Sequence, residues 1–317
     1  MTPSVSVVVS TYDRPVMARE LVSSLLAQDV AGLEVVVVDN GSRPETGRML
    51  AEMAATDGGT ALRVERIDDN RGPARARNLG WQVARGDHVL FTDDDCRVGA
   101  GWASALSQAL AEGHDIVQGA THPDDHDPEP VGPWDRTQRI TRWSGLFETC
   151  NIGYRRSVLE QVGGFDESFP IPAGEDTDLG LRAVAAGAST AFVADAVAHH
   201  VIWRQSYRAH LDDRLRMVHL VRLVKEHPEL RALLPMRVFW QRSHGSTLAA
   251  VVGVSVAGVV DVRLGAVAAG AWVALKSRRE RGTVLTRLQV AGLRAGAGVV
   301  EVAAMAASSA RERTLLL

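Results

Sequence analysis

Val5-Ser6-Val7-Val8-Val9-Ser10-Thr11-Tyr12-Asp13-Arg14 opens the chain as a β-branched run that breaks into a polar turn. Val5 to Ser10 reads as a buried strand. Val16 to Ala27 follows with Leu21, Leu25 and Leu26 at helical spacing, which completes a βα unit. The same alternation continues outward. Glu34 to Val38, Leu62 to Ile67 and His88 to Thr92 read as strands; Glu45 to Ala55, Pro73 to Ala84 and Trp102 to Ala111 read as helices. Continuous apolar strands between amphipathic helices predict an α/β fold with a Rossmann-like, mostly parallel sheet covered on both faces. Such sheets bind ligands at the carboxyl ends of their strands. Those ends read Ser10-Thr11-Tyr12-Asp13, Asp39-Asn40-Gly41-Ser42, Asp69-Asn70 and Asp93-Asp94-Asp95, too acidic a set to serve solubility alone.

The chain has 317 residues, 46% of them hydrophobic and 23% charged, the balance of a folded protein of one large or two ordinary domains. Thirty-five Lys and Arg against 38 Asp and Glu give a net charge of -3, so nothing global points to a nucleic-acid partner. The two cysteines, Cys96 and Cys150, imply no disulfide framework, and Met1 to Val5 does not resemble a secretory signal. Further along, His122 to Pro133 reads as a long loop. Phe147 to Tyr154 and Thr190 to Val193 read as strands, with helices over Arg156 to Val162 and Asp176 to Ala186.

Several short stretches carry candidate chemistry. Carboxylates at alternate positions of an extended segment share a side, so Asp93 and Asp95 are expected to converge on one hard cation such as Mg²⁺ or Mn²⁺. An acidic turn capping the next helix is the other reading. Asp39 offers an acceptor to a pyrimidine N3–H, with Gly41 admitting close backbone approach; an Asx turn explains the same residues. Pro73 opens a helix whose N-terminus and Arg77 suit a diphosphate, or Arg77 lies on a solvated face. In Gly174-Glu175-Asp176-Thr177-Asp178 the acids either stabilise a helix start or include a general base.

Val5 to Arg14, Val36 to Ser42, Ala76-Arg77-Asn78-x-Gly80, Asp93-Asp94-Asp95, Gly163-Gly164-Phe165-Asp166-Glu167 and Gly174-Glu175-Asp176 together resemble family 2 glycosyltransferases, in that order. The resemblance implies a GT-A nucleotide-diphospho-sugar transferase fold, a nucleotide-sugar donor, a divalent cation and anomeric inversion. By position it implies that Thr11, Tyr12, Asp13, Asp39, Asn70, Arg77, Asp93 and Asp94 bind the nucleotide-sugar. Asp93, Asp95 and His200 are then the metal ligands, Asp176 the base, and Asn151 and Glu175 acceptor-side residues. Asn151 has backbone satisfaction at a strand edge as its alternative, and His199 competes with His200. Asn40 departs from the usual Asp-Asp-Gly-Ser ending. The expected activity is inverting transfer from a UDP- or dTDP-linked sugar to a hydroxyl, on a lipid-linked or cell-envelope glycan. A silent nucleotide-sugar-binding membrane scaffold and another sugar-nucleotide-using transferase are the alternatives.

The glycosyltransferase domain is expected over residues 1–205, a basic helical region over 206–245 and an apolar helical extension over 246–317. Leu248 to Val260 and Leu264 to Leu275 are each too short to cross a ~30 Å hydrocarbon core, and Asp261 and Arg263 interrupt a joined span. A half-inserted hairpin, a soluble hairpin and one poor span all remain. With Lys276, Arg278, Arg279 and Arg281 following, the expectation is a protein at the cytoplasmic face of an anionic membrane, with a soluble cytoplasmic protein second.

Overall fold

The computed structural model describes residues 4–56, 61–169 and 173–317; the first three residues of the stretch read for a signal lie outside these. The chain forms two compact units: Met1–Pro130 with Thr137–Trp203, and Val131–Arg136 with Arg204–Leu317. Residues 206–245 and 246–317, read separately from the sequence, thus lie in one unit.

The first unit contains β1 (Val5–Thr11), α1 (Pro15–Leu26), β2 (Glu34–Asn40), α2 (Pro44–Thr56), β3 (Leu62–Ile67), α3 (Pro73–Val83) and β4 (His88–Phe91). Then come β5 (Cys96–Val98), α4 (Trp102–Ala111), β6 (Ile116–Pro123), β7 (Ile152–Arg155), α5 (Arg156–Val162), α6 (Glu175–Ala185) and β8 (Thr190–His200). The strands form one sheet in the order β3-β2-β1-β4-β7-β6-β8-β5. Strands β1 to β4 pair in parallel, so their carboxyl ends share one edge. Strand β7 is antiparallel to both β4 and β6, and β5 is antiparallel to β8, which makes the far half mixed.

The apolar strands are explained by their two covered faces. Val5, Val7, Val9, Val35 and Val37 pack with Leu21 and Leu25 of α1, Leu50 of α2 and Leu106 of α4. Their alternates Val8, Val36, Val38, Val89 and Phe91 pack with Trp81 of α3, Leu159 of α5 and Leu179 of α6. Neither face reaches water, so no polar alternation is required.

The far half departs from the sequence reading. Strand β6 runs through Ile116–Pro123, so His122 begins no loop, and Gly119 with buried Gln118 hides it from an apolar pattern. Only Ile152–Arg155 of the expected strand over Phe147 to Tyr154 is extended. Thr149–Asn151 is a 3₁₀ turn, and Phe147 has φ +58°. Strand β8 continues past Val193 and carries His199 and His200 at its end.

The second unit contains α7 (Tyr207–Leu215), α8 (Leu220–Glu226), α9 (Arg242–Val260), α10 (Val262–Ser277) and α11 (Val284–Glu312). Leu220, Leu223, Ala291, Ala295 and Met305 are buried, together with Glu301, whose carboxylate lies 3.1 Å from His244 Nε2. Helix α9 starts earlier than its apolar stretch. Its 19 residues and those of α11 make both long and apolar enough to cross a membrane, which corrects the expectation that the stretch over Leu248 to Val260 is too short to do so. Asp261 separates α9 from α10 and caps α10 by accepting the Arg263 N–H at 2.6 Å.

Candidate active site

The four parallel strand ends deliver Thr11, Asp39 with Asn40, Asp69 with Asn70, and Asp93 to one edge. Asp39 is buried; its Oδ1 accepts the Ser42 N–H at 2.9 Å, and its Oδ2 pairs with Arg66. Gly41 has φ +79°, and a Cβ there would lie 2.6 Å from the Asn70 nitrogen, so the β2 turn requires glycine. Asn40 Nδ2 donates to Asn70 Oδ1 at 3.0 Å and to the Gly72 carbonyl at 3.1 Å. This explains asparagine at a position where the resemblance implies aspartate: both partners are acceptors. Asn40→Asp is expected to destabilise the unit by about 1–3 kcal/mol, read as a lower thermal midpoint. Flipping the Asn70 amide restores one contact only by giving up its 3.0 Å bond from the Gly72 N–H.

Tyr12 is exposed, while Asp13 sits at φ +54° and binds both the N–H and the Nε of Arg43. Thr11 Oγ1 donates to Asp94 Oδ2 at 2.8 Å. The premise that Asp93 and Asp95 alternate on an extended segment fails. Asp93 to Cys96 form a turn closed by the Cys96 N–H on the Asp93 carbonyl at 3.0 Å. The three side chains diverge. Asp93 meets Arg77, Asp94 meets Thr11 and Arg14, and Asp95 meets Arg14 and Trp203. Burial pushes Asp94 up to about 6, against the opposing pull of Arg14.

Arg14 and Trp203 were not singled out from the sequence, although Arg14 lies inside the first motif. Its guanidinium stacks 4.6 Å from the Trp203 ring, and Trp203 Nε1 donates to Asp95 Oδ2 at 2.9 Å. Asp95 Oδ1 is buried without a hydrogen-bond partner among the described residues and lies 3.5 Å from His200 Nε2. His200 Nδ1 donates to the Val201 carbonyl at 2.7 Å, so in the neutral ring the Nε2 lone pair faces Oδ1. Adjacent ligands of an octahedral ion held at about 2.1 Å stand about 3 Å apart, so this pair fits a divalent cation. The neighbouring His199 points elsewhere. Its ring and the carboxylates of Asp124 and Asp125 offer ligand atoms within 4.8 Å of one another, but Arg97 already binds both carboxylates.

Arg77 is buried and bridges Asp93 at 2.8 Å and Glu175 at 2.9 Å. The next residue latches the fifth motif: Asn78 Nδ2 donates to the Phe165 carbonyl and to Glu167, while its Oδ1 accepts the Phe165 N–H. Asp178 pairs with Arg182, which also donates to the Val162 and Gly164 carbonyls. Of the three acids that start α6, Asp176 is the one without an ion pair among the described residues; its Oδ1 accepts the Thr177 N–H at 2.8 Å. Burial first, then Glu175 and Glu148, push its carboxyl well above the usual range, with Arg77 opposing.

Asn151 does not face an acceptor. Its Nδ2 donates to the Ala120 and Ala196 carbonyls at 2.8 and 2.9 Å, and its Oδ1 accepts from Trp102 Nε1 at 2.8 Å. The fully buried side chain thus pins the β6–β8 irregularity after Gly119, and no polar atom remains for a ligand. Glu175, the other acceptor-side expectation, is buried against Arg77.

Residues 6–163 match the model of glycosyl transferase family 2. The chain belongs to this family. It is 34% identical over 213 residues to the O-antigen biosynthesis protein RfbC of Myxococcus xanthus, covering 59% of this chain and 16% of that protein. It is 31% identical over 117 residues to the GalNAc(5)-diNAcBac-PP-undecaprenol beta-1,3-glucosyltransferase of Campylobacter jejuni, covering 37% of this chain and 38% of the other. The family 2 chain thus spans well under half the length of these two relatives. Its fold is that of the mannosyltransferase PcManGT from Pyrobaculum calidifontis, solved with GDP-Man and Mn²⁺, at a TM-score of 0.61 and 20% identity over 99% of this chain and 88% of that one. This is the GT-A fold, with partly apolar helices at the C-terminal end.

Proposed function

We propose that the chain transfers a sugar, with inversion, from a UDP- or dTDP-linked donor to a hydroxyl of a lipid-linked or cell-envelope glycan. The observation that carries this reading is the Arg77 bridge. It ties the acidic turn after β4, through Asp93, to the start of α6, through Glu175, and so sets Asp176 beside the donor end of the sheet. In this reading the β2 turn holds the base and Asp93 with Asp94 the ribose. Arg77 turns toward the diphosphate when the donor arrives, and Asp176 accepts the acceptor hydroxyl proton as that oxygen attacks the anomeric carbon. Asp95 and His200 would hold a divalent cation, Mn²⁺ or Mg²⁺, and its positive charge would stabilise the diphosphate leaving group. A silent binding scaffold has no use for a half-buried carboxyl with raised proton affinity at Asp176. Thermal stabilisation by a panel of UDP- and dTDP-sugars, with and without Mn²⁺, tests the donor class. Product stereochemistry tests inversion, and retention of anomeric configuration excludes the single displacement.

The second unit supports docking to the cytoplasmic face of an anionic membrane. Val256, Val259, Val260, Val262 and Val267, around the α9–α10 turn, are exposed. Gly265 backs onto Gly258 so closely that a Cβ would lie 2.8 Å from the Gly258 Cα, which makes α9 and α10 a tight hairpin. Arg242, Lys276, Arg278, Arg279 and Arg281 then share the end opposite Asp261, where each adds roughly 1 kcal/mol of attraction to anionic lipid. A central carboxylate costs about 2.5–3.5 kcal/mol, so the tip is expected to dip into one leaflet without crossing. Val259→Glu with Val262→Glu should abolish co-sedimentation with anionic vesicles and leave donor binding unchanged. Wild-type protein that ignores such vesicles at low salt would end the membrane reading.

A further inference from the structure

The bend over residues 144–148 packs on the start of α6 in a conformation that its side chains do not favour. Phe147 sits at φ +58°, in the left-handed region that a bulky residue adopts only when its surroundings hold it there. Two contacts with α6 do so. The Thr177 hydroxyl donates to the Leu146 carbonyl at 2.7 Å, and the Phe147 ring lies so close over Gly180 that a Cβ there would collide with it. The residue presented next is Glu148. Its Oε2 accepts from Gln118 Nε2 of β6 and from Ser144 Oγ, each at 2.6 Å, which leaves Oε1 without a hydrogen-bond partner among the described residues. Glu148 and Asp176 are both half-buried, whereas Glu175 and Asp178 are buried in ion pairs.

We infer that Glu148 is a positioning residue of the transfer site: the strained bend fixes a second carboxylate beside Asp176, and Glu148 acts through that base. This inference rests on the reading of Asp176 as the base. The groups around Asp176 come from several elements. Glu175 and Asp178 share its helix, with Arg182 paired to Asp178; Arg77 comes from α3, and Glu148 from the bend. From β7 comes the Tyr154 hydroxyl, fully buried and without a hydrogen-bond partner among the described residues; burial first, then the charge of Asp176, push it up. The buried Cys150 thiol lies among the same charges, pushed up by burial, then by Asp93, Glu148 and Asp176, with its contact to Thr121 opposing. Arg77 already offsets Glu175, and Arg182 offsets Asp178. Glu148 has no ion pair among the described residues, so its charge acts on Asp176 without a cation of its own to cancel it. A carboxylate of ordinary affinity takes a hydroxyl proton poorly, and a neighbouring negative charge brings its affinity closer to the working pH.

Thermal melts of wild type, Asp176→Asn, Glu148→Gln and the double variant, at acid pH and at pH 8, form a cycle that reads this coupling without any substrate. Glutamine keeps the bonds from Gln118 and Ser144 through its carbonyl oxygen and removes only the charge. In the wild-type background Asp176→Asn is expected to gain in midpoint between acid pH and pH 8. In the Glu148→Gln background that gain should fall by about half or more, because Asp176 then holds its proton less tightly. Glu148→Asp, which keeps the charge, should retain most of it. A glutamate that merely braces the bend would lower the midpoints at both pH values alike and leave the gain intact, which would overturn the inference. Glu148→Met, of similar volume, takes the same place in the cycle if the glutamine variant does not fold. No gain from Asp176→Asn in the wild-type background would instead overturn the base reading itself, and this inference with it.

Discussion

Asp176→Asn is expected to lower turnover by at least ~10²-fold, the usual scale of a lost general base, with donor affinity within about twofold of wild type. The three acids at the start of α6 have different partners. Glu175 is committed to Arg77 and Asp178 to Arg182, so neither carboxylate is available to a hydroxyl proton without breaking an ion pair. Among the described residues Asp176 hydrogen-bonds only to Thr177, and burial raises its proton affinity, with Glu175 and Glu148 adding to the effect. A base works ionised. The acid limb of kcat/KM should therefore lie above the ordinary carboxylate value near 4 and disappear in the variant's residual activity. The stability consequence has a definite sign. Between its unfolded and its raised folded pKa the native state binds the extra proton, so stability falls as pH rises through that window. Asparagine removes this loss, and Asp176→Asn should melt above wild type at pH 8 and level with it at acid pH. Calorimetric melts at the two pH values check this. If Asp178→Asn abolishes turnover and Asp176→Asn does not, the base moves two residues along α6.

The near half of the sheet was legible because both its faces are covered, which turns strands into unbroken Val runs, and because parallel strands expose their carboxyl ends together. The far half was not. Strand β6 carries Gln118 and Gly119 in its interior, and the Gln118 side chain is satisfied by Glu148 and Ser144, partners that no local pattern announces. Residue roles were legible where a motif fixes the backbone, as at Gly41, and obscure where a role depends on register. Asp39 faces Arg66 only because β2 and β3 pair with those two residues opposite. Asn151 looked like a ligand-facing amide because its chain position says nothing of Trp102, Ala120 and Ala196 converging on it. The length of α9 was underestimated because its first turns, Arg242 to Thr247, are polar and yet helical.

Asp95→Ala is expected to abolish the Mn²⁺-dependent part of nucleoside diphosphate binding. Arg14 and Trp203 hold Asp95 Oδ2, while Oδ1 is buried with no hydrogen-bond donor to meet it. Left so, a buried carboxylate oxygen costs roughly 1–3 kcal/mol or more, and the group facing it at 3.5 Å is His200 Nε2, which in the neutral ring presents a lone pair. Two inward lone pairs make a poor hydrogen bond and a good cation site. His200→Ala should therefore weaken Mn²⁺ binding strongly, and Trp203→Phe, which removes the N–H that orients Asp95 and trims the ring under Arg14, by roughly 10–100-fold. His199→Ala serves as the contrast. Its ring lies with Asp124 and Asp125, where Arg97 already supplies positive charge, so metal affinity should stay within about twofold of wild type. Isothermal titration of Mn²⁺ with UDP present separates the two clusters. Metal dependence that survives Asp95→Ala and His200→Ala but is lost in His199→Ala would move the cation to Asp124, Asp125 and His199, and with it the assignment of the leaving-group side of the site.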